Sequence, residues 1–434
     1  MKKGVLKTGA LVLSLMLQTM LPAGIYSGTE AFASGAGPGT GSGQTAQEAA
    51  VSGDNYFPYQ WGLYNNGSLV ISRESISTEA YMAMYESFVD WVNRGGLGVP
   101  VRRLEPGDII HSSIQAQAGT DINALAAWQL YDSTKASGSW QFRDVTVAII
   151  DTGVDTSHAE LRDALWVNGD EIPGDGIDND QNGYSDDVNG YNFFDHNNVL
   201  RSNMIADIHG THAAGTIGAK RGNGGMSGLT DNDHVKLMIL KALGSNGGGT
   251  EQSIIEAIRY AEANGADICN LSLGGTDVFP ELEQTIAASD MLFVVSCGNG
   301  DESGRGYNID SSPVYPASYG YDNIIAVANL SLTGQLDESS NYGPQSVDIA
   351  APGTYVLSTI PGNRFDFLTG TSMAAPMVTG ICAMVYSYRT DLDLAGVRNA
   401  VLGSARRLDS LNGLVASGGI PDMYAAMSYG LSLQ

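Results

Sequence analysis

The chain reads as an α/β protein of three layers, with a mainly parallel central sheet covered by helices on both faces. Three observations carry that reading. Short apolar runs bounded by Gly or Asp recur from about residue 144 onward. Stretches of helical period fall between or after them. Polar residues close several of the apolar runs, at the edge where open parallel sheets gather their functional groups. With 434 residues, 43% of them hydrophobic, the chain can fill the core of one large or two average domains.

In chain order, residues 1–33 come first. Lys2, Lys3 and Lys7 precede the apolar stretch 9–24, and Ala31-Phe32-Ala33 supplies a small-x-small site, the pattern of a secretory signal peptide. Cleavage after Ala33 would release a secreted chain. An uncleaved N-terminal membrane anchor is the alternative. No later apolar run is long enough to span a bilayer. Residues 34–53, SGAGPGTGSGQTAQEAAVSG, are Gly/Ser/Ala-rich and read as a flexible linker. Residues 54–117 form an N-terminal extension. Within it, 77–96 has helical spacing: Tyr81, Tyr85, Phe88 and Val92 share a face, and Arg94-Gly95-Gly96 ends it. This is a packed helix, or alternatively a folding aid or a docking element.

The strands follow. DVTVAIID (144–151), VKLMILKAL (235–243), ADICNLSL (266–273), MLFVVSCGN (291–299) and NIIAVANL (323–330) look buried on both faces. The stretch 250–265 is an amphipathic helix with Ile254, Ile258 and Ala261 on one face and Gly265 as its stop. TSMAAPMVTGICAMVYSYR and DLAGVRNAVLGSAR supply two later helices. Asp151 ends the first of these strands, Ser272 the third and Asn299 the fourth.

Between 175 and 190 lies DGIDNDQNGYSDDVNG. Asp178, Asp180, Asn182, Gly183, Tyr184 and Asp186 match an EF-hand-like calcium loop at positions one, three, five, six, seven and nine. Asn189 replaces the bidentate Glu at position twelve, where Asp187 offers a substitute. Carboxylates crowded into one loop repel unless a cation sits among them, so a structural Ca²⁺ is expected. A solvated acidic turn is the alternative.

The formal net charge of −25 argues against nucleic acid and anionic membranes as partners. The three cysteines, Cys269, Cys297 and Cys382, sit in apolar segments and read as small buried hydrophobes, not as a disulfide framework.

Ser372 stands in GTSMAAP (370–376), crowded by small residues. A serine hydroxyl needs a base, and the base an orienting carboxylate. HGTHAAGTIG (209–218) offers the base, downstream of the strand-end Asp151. The order Asp151, His209, Ser372 is one of three known solutions to this geometry. The motifs resemble those of the subtilisin family of serine proteases: VAIIDTGVD its aspartate motif, HGTHAAGTI its histidine motif, GTSMAAP its serine motif and VVSCGNG its oxyanion-hole segment. QWGLYNNG (60–67) also resembles the start of many catalytic domains of that family, and the likeness runs from about 118 to 427. The domain so defined is 118–434.

The resemblance implies a secreted serine endopeptidase acting on polypeptides. Ser372 would be the nucleophile, His209 the base, Asp151 its orienter, and Asn299 with the Ser372 N–H the oxyanion donors. Ser272, Leu273 and Gly274 would form one edge of the cleft and 241–249 the other. Ser296, Cys297 and Gly298 would line the primary pocket, and Val314 would make it shallow. A dedicated processing protease is the alternative enzyme, and a catalytically silent binding protein the alternative of another class. The folded inhibitory propeptide common in that family is not visible between residue 33 and YFPYQWGL.

Overall fold

A computed structural model describes residues 53–76, 109–202, 204–244 and 247–431. The expected signal peptide, almost all of the linker and the expected helix at 77–96 lie outside the described residues. The first described strands are an antiparallel pair, β1 (Val70–Ile76) and β2 (Ile109–Gln115), followed by helix α1 (Ala124–Ser137). Then come β3 (Val145–Asp151), β4 (Gly190–Asn192), α2 (Ile208–Gly218), β5 (Val235–Lys241) and α3 (Glu251–Ala263). They are followed by β6 (Ile268–Leu271), α4 (Pro280–Ala288), β7 (Leu292–Ser296), β8 (Ile324–Leu330) and β9 (Ile349–Pro352). A hairpin of β10 (Val356–Ile360) and β11 (Arg364–Leu368) leads into α5 (Thr371–Tyr388) and then α6 (Leu394–Gly403).

Seven strands form one sheet in the order β4-β5-β3-β6-β7-β8-β9, with every pairing parallel. Successive side chains of a strand face opposite ways. On β3, Val147 and Ile149 therefore enter one core and Ala148 and Ile150 the other. The first core holds α1, α2 and α5; the second holds α3 and α4. Both faces are dry, which is why the strands read as unbroken apolar runs rather than as alternations. The three-layer α/β architecture expected from the sequence is the one observed.

Helix α3 shows how local chemistry sets the boundaries. Thr250 accepts from the Ser253 N–H at 3.0 Å, and Ser253 Oγ accepts from the Thr250 N–H at 3.1 Å, a reciprocal cap. Gly265 lies just past the other end at φ +74, where a side chain would be strained.

Residues of the extension belong to the same two cores. Leu63 joins the first, while Trp61, Leu69 and Ile71 join the second. Trp61 Nε1–H donates to the Thr354 carbonyl at 2.9 Å. Among the described residues no helix is long and apolar enough to cross a membrane.

Candidate active site

Parallel register brings distant polar residues to one edge of the sheet. Asp151 is the last residue of β3 and Lys241, its partner across the ladder, the last of β5. His209 stands in the first turn of α2. Its Nδ1 lies 2.7 Å from Asp151 Oδ1 and 2.9 Å from Oδ2, and both side chains are almost wholly buried. An Nδ1–H held by a carboxylate leaves Nε2 as the acceptor nitrogen. The close approach depends on Gly210. A Cβ there would sit 2.3 Å from the Gly153 carbonyl oxygen and 3.2 Å from Asp151 Cβ.

His212, one turn along, has a different environment. It is fully buried, and its Nε2 lies 2.9 Å from the Val356 carbonyl on β10. Burial pushes its pKa down to about 3, so the ring is neutral and fastens α2 to the hairpin.

Ser372 is the second residue of α5, and α2 and α5 pack against each other. Its Oγ donates to the Ser272 carbonyl at 3.2 Å. His209 Nε2 is buried and has no hydrogen-bond partner among the described residues. The serine and histidine side chains therefore do not bond to each other as they stand. Such bonds are often loose before substrate arrives.

The proline of GTSMAAP has a local cause and consequence. Pro376 lies inside α5 and has no N–H for the carbonyl four residues back, that of Ser372. Ser272 Oγ donates to that carbonyl instead, at 3.1 Å. Ser272 Oγ in turn accepts from Asn270 Nδ2 at 2.9 Å, and Asn270 Oδ1 accepts from Thr379 Oγ1 at 2.9 Å. A buried polar chain thus binds the end of β6 to the start of α5.

Asn299 reaches the same place from the end of β7. Its Oδ1 accepts from the Thr371 N–H at 2.7 Å and from Thr371 Oγ1 at 2.9 Å. The amide is thereby oriented beside the residue that precedes Ser372.

The expected pocket residues divide. Gly274, Gly298 and Val314 come together: Val314 Cγ1 would lie 3.2 Å from a Cβ on Gly274 and 3.6 Å from one on Gly298. The Ser296 carbonyl is also close to Gly274. Leu273, Cys297 and Val314 all have their side chains in the second core. Cys297 Sγ donates to the Asn341 carbonyl at 3.1 Å, and burial pushes its thiol up to about 12.

In the acidic loop, Asp178, Asp180 and Glu171 each offer an oxygen, all within 4.8 Å of one another. Asp186 does not join them. Its oxygens accept from the Gly174 and Gly176 N–H groups at 2.7 and 3.1 Å. Asp187 is taken up by Asn168, Asn182 and the Tyr260 hydroxyl. The Asn182 oxygen accepts from the Tyr184 N–H at 2.8 Å, and the Tyr184 ring packs on Tyr191, Phe193 and Tyr260. Glu171 lies upstream of the loop motif, so spacing alone does not find it. Three carboxylate oxygens at this separation fit a hard divalent cation.

A model of the subtilase family matches residues 143–420. The chain belongs to the subtilase family. This subtilase is 37% identical over 252 residues to the major intracellular serine protease of Bacillus subtilis (strain 168), covering 57% of this chain and 70% of that one. It is 34% identical over 283 residues to subtilisin DY of Bacillus licheniformis, covering 64% and 89%. It is 31% identical over 330 residues to subtilisin-like protease 1 of Plasmodium falciparum, covering 72% and 46%. The subtilase is a serine-type endopeptidase, and its substrates are polypeptides.

Proposed function

We propose that this endopeptidase is exported and works through Asp151, His209 and Ser372, with Asn299 in the oxyanion hole. Rotation about the Ser372 Cα–Cβ bond takes its hydroxyl from the Ser272 carbonyl to His209 Nε2. Ser372 Oγ then attacks the scissile carbonyl carbon. His209 takes the hydroxyl proton and delivers it to the leaving amine, while Asp151 holds the ring and stabilises its charged form. Water repeats the sequence on the acyl-enzyme. The oxyanion accepts from the Ser372 N–H at the start of α5 and from the Asn299 amide. The observation that carries this reading is the buried Asp151–His209 contact at 2.7 Å, with Nε2 unpartnered among the described residues.

The primary pocket is shallow because Val314 stands between Gly274 and Gly298. It suits small or medium apolar side chains. Ca²⁺ would sit among Asp178, Asp180 and Glu171, ordering the loop that lies in sequence between Asp151 and His209. Export rests on the charged, apolar and small-residue pattern of residues 1–33.

The test is Ser372→Ala with a chromogenic peptide. We expect kcat to fall by about 10⁶-fold while the melting temperature holds, a figure taken over from subtilisin of the same family rather than obtained from this geometry. Cleavage within tenfold of the parent rate would remove Ser372 from the mechanism.

A further inference from the structure

The ladder partner of Asp151 is a buried lysine that the reaction itself does not use. Lys241 is 1% exposed, and Asp207, two residues before His209, is fully buried. Lys241 Nζ reaches three acceptors. It donates to the Thr152 carbonyl, to the Leu243 carbonyl at 3.0 Å and to Asp207 Oδ1 at 3.3 Å. An ammonium has three N–H donors, so all are used. Asp207 Oδ2 accepts from the Ser202 N–H at 2.7 Å. The Asp207 carbonyl accepts from the Thr211 hydroxyl at 2.6 Å, inside the first turn of α2.

Each acceptor belongs to a different part of the site. Thr152 directly follows Asp151. Asp207 opens the segment that carries His209. Leu243 continues β5 toward the cleft edge at 241–249. Space for the pair is reserved by Gly153 at φ +116, where a Cβ would fall 2.9 Å from Asp207 Oδ1 and 3.2 Å from Lys241 Cδ. Two charges are not placed in a dry interior without cost, and apolar side chains of similar size often serve stability as well or better. Stability alone is therefore a weak reason for this pair.

We propose that Lys241 and Asp207 are positioning residues for the catalytic acid–base pair: the ammonium ties the strand end bearing Asp151 to the helix start bearing His209. This rests on the Asp151, His209 and Ser372 assignment above. The pair also sets the electrostatic balance at His209. Asp151 from β3 meets that ring directly at 2.7 Å, His212 shares α2 with it, Lys241 and Asp207 meet each other at 3.3 Å beside the residues that flank the pair, and the hairpin packed on α2 brings Asp366. The first turn of α5 carries no acid.

Two variants of the full-length enzyme test this. Lys241→Met with Asp207→Leu removes both charges together and leaves neither buried alone. It should fold, as read by its melting temperature, with KM nearly unchanged and kcat lowered about tenfold to a hundredfold, because small misplacements of catalytic groups cost that much. Asp207→Asn keeps the shape but leaves the ammonium unbalanced. A nearby positive charge disfavours the imidazolium, so the acid limb of kcat/KM should move to lower pH. Folded variants with the parental kcat and acid limb would overturn the proposal. So would a loss confined to melting temperature. Fluorophosphonate labelling of the parent and of Ser372→Ala keeps the two readings apart. An unlabelled parent means that the triad assignment fails. A labelled parent with kinetically silent variants means that only the positioning role fails.

Discussion

Two histidines one turn apart on α2 have opposite fates, and burial with different partners decides which. His209 faces a carboxylate, whereas His212 faces a carbonyl. His212 carries a folded pKa of about 3 against an ordinary value of 6.5. Between those values the unfolded chain binds a proton that the folded chain does not. Stability contributed at this site is therefore complete above about pH 6.5 and is lost as pH falls toward 3. His158, whose pKa burial also lowers, acts in the same direction. We predict that the melting temperature declines from pH 7.5 to pH 4.5 and that His212→Gln, whose amide nitrogen takes the place of Nε2 and can still donate to the Val356 carbonyl, makes the decline shallower. A slope equal to the parent's would place the acid sensitivity elsewhere. At this scale the contact of Asp151 with His209 follows a sequence signal, since both residues stand in motifs that resemble those of the family. Cys297 reads as a small buried hydrophobe and is one, with its side chain in the second core.

Among the elements, the five long apolar strands were legible from composition, whereas β4 and β9 were not. β4 is only three residues long and contains Gly190, while β9 is alanine-rich and ends at Pro352. Neither presents enough apolar length to stand out from a loop. The role of Pro376 was equally hidden, since it depends on Ser272, a hundred residues away in the chain. The acidic loop was read in outline, but Glu171, which comes within 4.8 Å of Asp178 and Asp180 from upstream, lies outside the motif's spacing. A cation that binds only the folded state stabilises by RT ln(1 + [L]/Kd), about 2.7 kcal/mol at a hundred times Kd. EDTA should lower the melting temperature, and both Asp178→Ala with Asp180→Ala and Glu171→Ala alone should weaken that response. Superimposable melting curves with Ca²⁺ and with EDTA would mean that the loop is only an acidic turn.

Across the whole molecule, the proposed site is assembled from pieces far apart in sequence and held by a sheet that buries both faces. Asp151, His209, Asn299 and Ser372 each sit at or just beyond the end of a strand or in the first turn of a helix that faces the same edge. The stretch 54–71 is built into this body. Asp54 accepts from the N–H groups of Gly222, Asn223 and Gly224 at 2.8 to 3.1 Å, and Gln60 exchanges hydrogen bonds with Ser227. Family and fold were legible at this scale because ordered motifs and buried strands both leave marks in the sequence. The long-range contacts of the N-terminal stretch leave none. The central claim is that one hydroxyl, that of Ser372, is activated by the Asp151–His209 pair. Mass-spectrometric mapping of the adduct formed by a fluorophosphonate probe tests it most directly. The account predicts a single phosphonylated peptide carrying Ser372, formed at a rate that falls sharply in His209→Ala. An adduct on another serine, or equal labelling without His209, would contradict it.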